Sequence, residues 1–465
     1  MTRSLYTRFA SGLLFPLHER LKGHDTLAAR VELERSQWLS PEALRAMQVA
    51  RLRALLKHAA ARVPYYRNLF ARIGFDPEAV RDLAALHHLP VLTKELIRTH
   101  FEELRADDAH HVAMFSTTGS SGDPLRFLIG RRRVSRDVAA KWRATRWWDV
   151  DIGDREIVAW SSPIELGRQD RIKGLRDRLL RTRLVPAIAL TPARLDAFVG
   201  EILDFRPRML FGYPSALALV AQHARAQGVS LDRRGIQVAF VTAERLYPHQ
   251  RDAIEQVFGC RVANGYGGRD AGFLAHECPA GQLHITAEDV IIEVVGPDGR
   301  PRPPGEVGQV VVTHLHSHEF PFIRYVNGDL AALSADRCAC GRGLPSIAEV
   351  HGRVNEFLVA SSGARVLGVA FAMLLRDMPG VLQFKIIQHA LAEVELQLVR
   401  GPDFDAGRSK PLIERQFRNF LGDDLKLRVV EVGEIVPEPT GKYRYVVNRI
   451  AEHGRVAEPG ACAHA

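Results

Sequence analysis

Met209-Leu210-Phe211, then Ala216 to Gln227, then Val238-Ala239-Phe240-Val241-Thr242 read in order as an apolar β-rich run, a helical stretch and a second β-rich run. Short runs of β-branched and aromatic residues suit buried strands, whereas the longer segment between them has the length and apolar spacing of a helix. The same alternation extends outward. Ile157 to Trp160 forms an earlier β-rich run, Pro248 to Phe258 a following helix, and Val310-Val311-Val312-Thr313 a later strand. Such alternation across about 110–330 predicts a large α/β domain.

On the N-terminal side, the heptad-like spacing over 27–59 predicts a helix that Pro64 stops. Tyr65 to Gly74 predicts a second short helix, and Leu89-Pro90-Val91-Leu92-Thr93-Lys94 an extended connection with Thr93 as N-cap of another. Residues 1 to about 100 therefore form a helical extension of a domain spanning 1–354. The turn-rich Asp298 to Gly305 reads as a long hairpin, and the boundary falls just after Gly352-Arg353. Beyond it, strand (Phe357 to Val359), helix (Val369 to Met378), two strands (Leu382 to Gln388, Glu393 to Val399), helix (Pro411 to Leu421) and strand (Leu427 to Val432) predict a small α+β domain over 355–450. The tail 451–465 reads as flexible.

Composition narrows the function classes. The 465 residues are 46% hydrophobic and 25% charged, which excludes collagen-like, disordered and membrane-embedded chains. The patch Leu13-Leu14-Phe15 is too short for a signal sequence or a membrane span, so no transmembrane segment and a cytoplasmic location are expected. Met1 to Gly23 is expected to be a core helix with a solvated basic face, an amphipathic segment on a membrane surface being the alternative. The net charge of +9 is dispersed and accompanied by no nucleic-acid-binding motif, so no nucleic-acid partner is expected. Nine of the 63 basic residues are Lys, which makes each lysine informative. Five cysteines cannot build a disulfide framework in a chain this long, and the pair Cys338 and Cys340 suits a metal better than a disulfide. With Cys278 and His284 they supply three thiolates and an imidazole, enough for a closed tetrahedral Zn²⁺ site; His276 is an alternative ligand, and metal-free thiols are the plain alternative. Cys260 is expected to pack as an apolar residue, and Cys462 lies in the tail.

Phe115 to Pro124 concentrates hydroxyls and glycines in one loop, a concave donor surface suited to phosphate oxygens, although without the lysine of a P-loop. Alone it reads equally as a Ser/Gly-rich surface turn. It is followed by Tyr266-Gly267-Gly268-Arg269-Asp270, Phe322 to Asp329, His351-Gly352-Arg353-Val354-Asn355-Glu356 and Pro439-Thr440-Gly441-Lys442. This ordered set resembles the adenylate-forming (AMP-forming acyl ligase) superfamily. Leu56-Lys57-His58-Ala59, Arg62 to Arg67, Leu89 to Lys94 and Cys338 to Arg342 resemble its phenylacetate–CoA ligase-like branch, which includes capsular-polysaccharide (CapK-like) biosynthesis proteins.

The resemblance implies a large multi-sheet adenylate-forming domain followed by a small mobile one, and it implies roles. Thr117, Thr118, Gly119, Ser120, Ser121 and Gly122 would hold the ATP phosphates. Tyr266, with Gly267, would stack on adenine opposite Thr242-Ala243-Glu244. Asp270 would bind Mg²⁺ where relatives carry Glu, Asp329 would bridge the ribose hydroxyls, and Arg353 would contact nucleotide. Asn355 would sit at the hinge of the small domain, and Lys442 would bond the acyl carboxylate and the α-phosphate. Tyr213, Asn264 and Gly265 would shape the acid pocket, core packing being the alternative for Tyr213, and Gly363 would approach the pantetheine of coenzyme A. Some members of the branch carry structural zinc at the four Cys/His positions. Asp123, where many relatives have Lys, and Gly268-Arg269-Asp270 depart from the pattern. The expected activity is Mg-ATP-dependent activation of a carboxylic acid and transfer to a thiol, most simply coenzyme A. Transfer of the acyl or adenylyl group to a hydroxyl or amine in polysaccharide assembly, and a degenerate nucleotide-binding homologue, are the alternatives, with self-association into a homodimer left open.

Overall fold

The computed structural model describes residues 4–117, 125–160, 171–187, 190–353, 357–363, 365–367, 371, 374–375, 378–435 and 445–450. The chain divides into two compact units, residues 1–351 and 352–465.

Unit one begins with α1 (Leu5–Phe9), a π-helical turn (Ala10–Leu14) and α2 (Phe15–Leu21), then α3 (Thr26–Ser36), α4 (Pro41–Arg62), α5 (Pro64–Ile73) and α6 (Lys94–Thr99). The single helix expected over 27–59 is two. Pro41 has no N–H to continue the α3 ladder, and Ser40 restarts the chain by accepting the N–H of Ala43. Thr93 caps α6 as its type and position predict, accepting the N–H of Leu96 at 3.2 Å. The N-terminal segment differs from expectation: Leu5, Leu13, Leu17 and Leu21 face solvent.

A hairpin of β1 (Val112–Ser116) and β2 (Arg126–Gly130) leads into α7 (Arg131–Trp147). Then β3 (Glu156–Trp160), α8 (Arg171–Leu179), β4 (Thr182–Pro186), α9 (Pro192–Phe205), β5 (Met209–Gly212), α10 (Pro214–Ala226), β6 (Val238–Thr242), α11 (Pro248–Phe258) and β7 (Arg261–Gly268) follow. The strands from β8 (Gly272–Glu277) through β9 (Leu283–Ile285), β10 (Val290–Val295), β11 (Gly308–His314) and β12 (Tyr325–Leu333) to β13 (Ser346–Arg353) need no crossover helices. All but the hairpin join one eleven-stranded sheet of order β10-β11-β12-β13-β9-β8-β7-β6-β5-β3-β4. β4, β3, β5, β6 and β7 run parallel, and β7 to β8 begins the antiparallel part.

α7 packs against this sheet with three buried arginines. Arg136 bonds Glu32 and Asp289, Arg143 reaches Glu288 at 2.6 Å, and Arg133 points to the loop after β7. A buried guanidinium is tolerable only with such partners. They tie α3, α7 and the start of β10 into one block.

Unit two contains a hairpin of β14 (Phe357–Val359) and β15 (Arg365–Leu367), strands β16 (Val381–Ala390), β17 (Glu393–Arg400), β18 (Lys426–Glu431) and β19 (Val446–Asn448), and helix α12 (Ala406–Leu421). Four strands form a sheet of order β18-β17-β16-β19, and Ile413, Phe417 and Leu421 of α12 join its core. α12 starts ahead of the expected Pro411 because the Asp405 carboxylate accepts the N–H groups of Gly407 and Arg408. Part of the helix expected over Val369 to Met378, the hinge Asn355 and the tail lie outside the described residues.

Candidate active site

In a half-parallel sheet the crevice beyond the carboxyl ends of the parallel strands is where ligands settle. Three of the quoted motifs meet there. β12 slips register against β11 around Gly328, which has φ +92, and there Asn327 and Asp329 come together beside Tyr266. The Tyr266 hydroxyl donates to Asp329 Oδ2 at 2.9 Å, and Asn327 Nδ2 donates to that carboxylate at 2.8 Å and to the Tyr266 oxygen at 2.9 Å. Burial, then the adjacent Asp329 carboxylate, push the Tyr266 hydroxyl well above its ordinary value, so it stays a donor. A side chain built on Gly267 would sit 2.4 Å from the Gly272 carbonyl oxygen, which explains the small residue beside Tyr266. Lys94 enters from the Leu89 to Lys94 segment, which pairs with β12 through Leu92; its Nζ lies 3.8 Å from where a side chain on Gly328 would begin.

Asp270 is 8% exposed and bonded at both oxygens, from the Tyr325 hydroxyl at 2.6 Å and from the Ala271 N–H at 3.1 Å. Arg133 donates to the Asp270 carbonyl oxygen and to that of Arg269, and lies 3.8 Å from Asp137. The loop carrying the carboxylate is thus clamped from beneath by α7. Gly272 has φ +88 and a side chain there would stand 2.9 Å from Asp137 Oδ1, so the turn after Asp270 requires glycine.

The adenine motif after β6 is bent. Ala243 has φ +70, unusual for a residue with a Cβ, and Glu244 accepts the Ser215 N–H at 3.3 Å, linking it to the start of α10. Tyr213 is 3% exposed and its ring stacks on Trp160 at 4.6 Å and 19°. Among the described residues the indole N–H of Trp160 has no partner. Gly265 packs on the Phe240 ring, and the Asn264 N–H donates to Glu277 at 2.9 Å. The row Trp160, Phe211, Phe240, His276, Phe273 runs across the sheet with successive rings 5.3 to 6.0 Å apart.

Thr117 closes the neck of the β1–β2 hairpin, its Oγ1 accepting the Leu125 N–H at 3.1 Å. Thr118, Gly119, Ser120, Ser121, Gly122, Asp123 and Lys442 lie outside the described residues, and Arg353 ends β13. The cluster adds Asn327, Tyr325 and Arg133 to the residues expected from sequence. The first two carried a signal, their place in the Phe322 to Asp329 motif; Arg133 carried none, because its partners come from a loop more than a hundred residues away.

A second cluster is built by two turns. Cys278 to Gly281 closes with a Gly281 N–H to Cys278 carbonyl bond at 2.8 Å, and Cys338 to Gly341 with the equivalent bond at 3.2 Å; both glycines have positive φ. Cys278, His284, Cys338 and Cys340 place their ligand atoms within 4.8 Å of one another. The Cys278–Cys338 sulfur separation is 3.6 Å, close to the roughly 3.8 Å expected when two thiolates share a tetrahedral Zn²⁺ at about 2.3 Å. His284 donates from Nδ1 to the Leu344 carbonyl at 3.0 Å, which turns the lone pair of Nε2 toward Cys340, 3.3 Å away. The donor set therefore fits the metal. Burial raises the Cys338 thiol to about 12, whereas at Cys340 the Arg342 hydrogen bonds outweigh burial and lower it. His276, the alternative ligand, is instead packed between Phe240 and Phe273. Cys260 is buried in the core, its thiol pushed up to about 12 by burial.

A model of AMP-binding enzymes matches residues 183–316, and a model of the CapK C-terminal domain matches residues 358–449. The chain is 27% identical to a phenylacetate-coenzyme A ligase of Thermus thermophilus over 443 residues, covering 88% of this chain and 97% of that protein. It is 22% identical to Protein CapK of Staphylococcus aureus over 386 residues, 79% of this chain and 81% of that one. The solved structure of 2-hydroxyisobutyryl-CoA ligase in the postadenylation state in complex with 2-HIB-AMP shares the fold, with a TM-score of 0.73 at 21% identity over 89% of this chain and 91% of that one. With a match in each unit, the comparisons support an adenylate-forming AMP-binding enzyme of the branch that contains phenylacetate-coenzyme A ligase and CapK.

Proposed function

We propose that the protein is an AMP-forming ligase that activates a carboxylic acid with ATP and transfers the acyl group to coenzyme A. The observation that carries the reading is the convergence of Tyr266, Asn327 and Asp329 beyond the parallel strands: an aromatic plate joined to a fixed carboxylate suits a base and its ribose. Relatives named phenylacetate-coenzyme A ligase support the acid–thiol class. In the first step a carboxylate oxygen of the acid bonds to the α-phosphorus, and the bond from that phosphorus to the bridging oxygen breaks, releasing pyrophosphate. Charge grows on the α-phosphate oxygens, and Lys442 is the cation assigned to it. In the second, the coenzyme A sulfur bonds to the acyl carbon as its proton leaves, and AMP departs.

Asp329 holds the ribose, Thr117 to Gly122 the phosphates, and Thr242, Ala243 and Glu244 flank the base, with Arg353 on the nucleotide and Asn355 at the hinge. Mg²⁺, held through Asp270, would neutralise the leaving pyrophosphate; the Tyr325 bond keeps that carboxylate oriented. Tyr213, Asn264 and Gly265 border the acid, and the stacked Trp160 and Tyr213 rings favour a flat apolar group there. Zinc held by Cys278, His284, Cys338 and Cys340 would have four protein ligands and no position for substrate, so it would tie the β8–β9 turn to the segment after β12.

The test is acid-dependent pyrophosphate release across aryl, fatty and hydroxy acids, beside Lys442→Ala. Turnover that Lys442→Ala lowers by about a hundredfold or more supports the ligase; silence across the panel by protein that binds AMP would overturn it. The CapK C-terminal match favours one second reading, transfer to a hydroxyl or amine in polysaccharide assembly. Hydroxylamine-trapped acyl-adenylate without coenzyme A thioester would select that reading.

A further inference from the structure

The helical segment 5–21 at the start of the chain is built inside out. Its packed face carries Thr7, Ala10 and Glu19 beside Phe15. The Thr7 hydroxyl donates to Asp154 at 2.7 Å, Ala10 rests against Gly153, and Glu19 accepts from Thr26 and pairs with His24 at 3.1 Å. Its solvent face carries Leu5, Phe9, Leu13, Leu17 and Leu21, exposed by 47% at Phe9 and up to 83% at Leu5. A surface helix ordinarily turns such residues inward, because that burial holds it to the body. Here hydrogen bonds and one aromatic residue do the holding, and the large apolar side chains are left outside.

The five residues recur every fourth position. In an α-helix each such step overshoots a full turn by about 40°, so the row would wind around the cylinder. The π turn at Ala10–Leu14, which closes i to i+5 and winds less per residue, turns the drift back midway and keeps the row on one side. The segment spans about 25 Å at 1.5 Å per residue, long enough to present the row to a flat surface. α8 lies alongside, the Tyr6 hydroxyl donating to the Leu179 carbonyl at 2.7 Å, and adds Leu175 and Leu179, 59% and 41% exposed.

The exposed charge of the segment itself is basic, and Asp177 on α8 is paired with Arg176. Residues 4–22 contain a single acidic residue, Glu19, and it is buried. Arg8, Arg20 and Arg178 are exposed beside the leucines, and Arg181 lies 3.8 Å over the Tyr6 ring. Two copies meeting through this face about a twofold axis would bring Arg8 of one toward Arg20 of the other, which the like charges oppose. An apolar row bordered by cations matches the interfacial plane of a bilayer with anionic headgroups.

The geometry points to peripheral docking of this protein on anionic membrane surfaces through the Leu5, Phe9, Leu13, Leu17, Leu21 row and its flanking arginines. The ligase would then work beside the bilayer, where amphiphilic acids or lipid-linked acceptors partition. No span is involved: among the described residues no helix is long and apolar enough to cross.

Co-sedimentation of the full chain with vesicles tests this, using phosphatidylcholine alone and phosphatidylcholine mixed with phosphatidylglycerol. Binding is expected to the mixed vesicles, to weaken as salt is raised, and to fall by about tenfold or more in Leu13→Glu/Leu17→Glu. Arg8→Glu/Arg20→Glu, which leaves the apolar row intact, should weaken it as well. Both double variants should release pyrophosphate at the wild-type rate, or, if no acid turns over, keep the wild-type melting temperature. Failure of wild-type protein to sediment with the mixed vesicles, or binding unchanged by the Leu variants, would overturn the proposal. So would loss of a dimer by light scattering in the Leu variants with no vesicle binding by wild type, since the face would then be a contact between copies.

Discussion

Asp329 is held by two donors, the Tyr266 hydroxyl and Asn327, before any nucleotide arrives. A carboxylate fixed in this way loses little freedom on binding, which is why its removal should cost affinity more than rate. Asp329→Ala is expected to raise KM for ATP by about tenfold to a hundredfold, the worth of charge-assisted hydrogen bonds, with a smaller change in kcat. Tyr266→Phe keeps the ring and loses the tether, so it should change KM by less than Asp329→Ala; steady-state kinetics at saturating acid separates the two. Lys442→Ala should lower the adenylation rate by about a hundredfold to a thousandfold, read by pyrophosphate release. Arg324 is of another kind. It has φ +52 and a paired bond to the buried Glu293 at 3.0 and 3.1 Å, so strain in the backbone is offset by the ion pair. Arg324→Ala leaves Glu293 buried without its partner and should destabilise the fold by about 3–5 kcal/mol, measured by denaturant unfolding.

At the scale of elements, α7 and the segment after β11 form a buried polar layer beneath the site. His316 is 3.3 Å from Asp289, and His318 meets the His58 ring at 5.1 Å. Burial lowers both imidazoles to about 4, with Asp289 opposing this at His316 and Arg132 and His58 adding to it at His318. Against its own burial, Arg136 and then His316 hold the Asp289 carboxyl well below the usual range. The unfolded chain takes up protons near pH 6.5, whereas these imidazoles resist protonation until about pH 4. Stability from this pair is therefore fully present above about pH 7 and declines as pH falls toward about pH 4. Urea midpoints measured across that range should show the decline, and His318→Gln should flatten it. The elements themselves were largely legible: β5, α10, β6 and α11 lie where their residue types predict. Breaks were less so, because the apolar period over 27–59 continues through the Pro41 interruption, and because Asp405 starts α12 ahead of Pro411.

At the scale of the molecule, the four-ligand cluster joins segments sixty residues apart, so a metal there should contribute to the stability of the whole unit. Purified protein is expected to hold about one zinc per chain, and either chelation or Cys338→Ser should lower the melting temperature without abolishing AMP binding. Metal analysis beside thermal unfolding checks both; full stability in metal-free protein would count against a structural role.

The sequence by itself determined most element types, the α/β order, the small α+β unit and the motifs that carry the family resemblance. Those properties are encoded locally, in periodicity, in turn chemistry and in short runs such as Tyr266 to Asp270. Only the tertiary structure decided which residues meet. The slip of β12 at Gly328 brings Asn327 to Asp329, α7 sends Arg133 under the Asp270 loop, and the packing of Thr7 and Glu19 turns a leucine row outward. The physical reason is that a side chain's direction depends on which face its neighbours cover. An apolar period along 5–21 is the same whether the row points to the core or to solvent, and the hydrogen bonds that settle it, to Asp154 and Thr26, come from elsewhere in the fold.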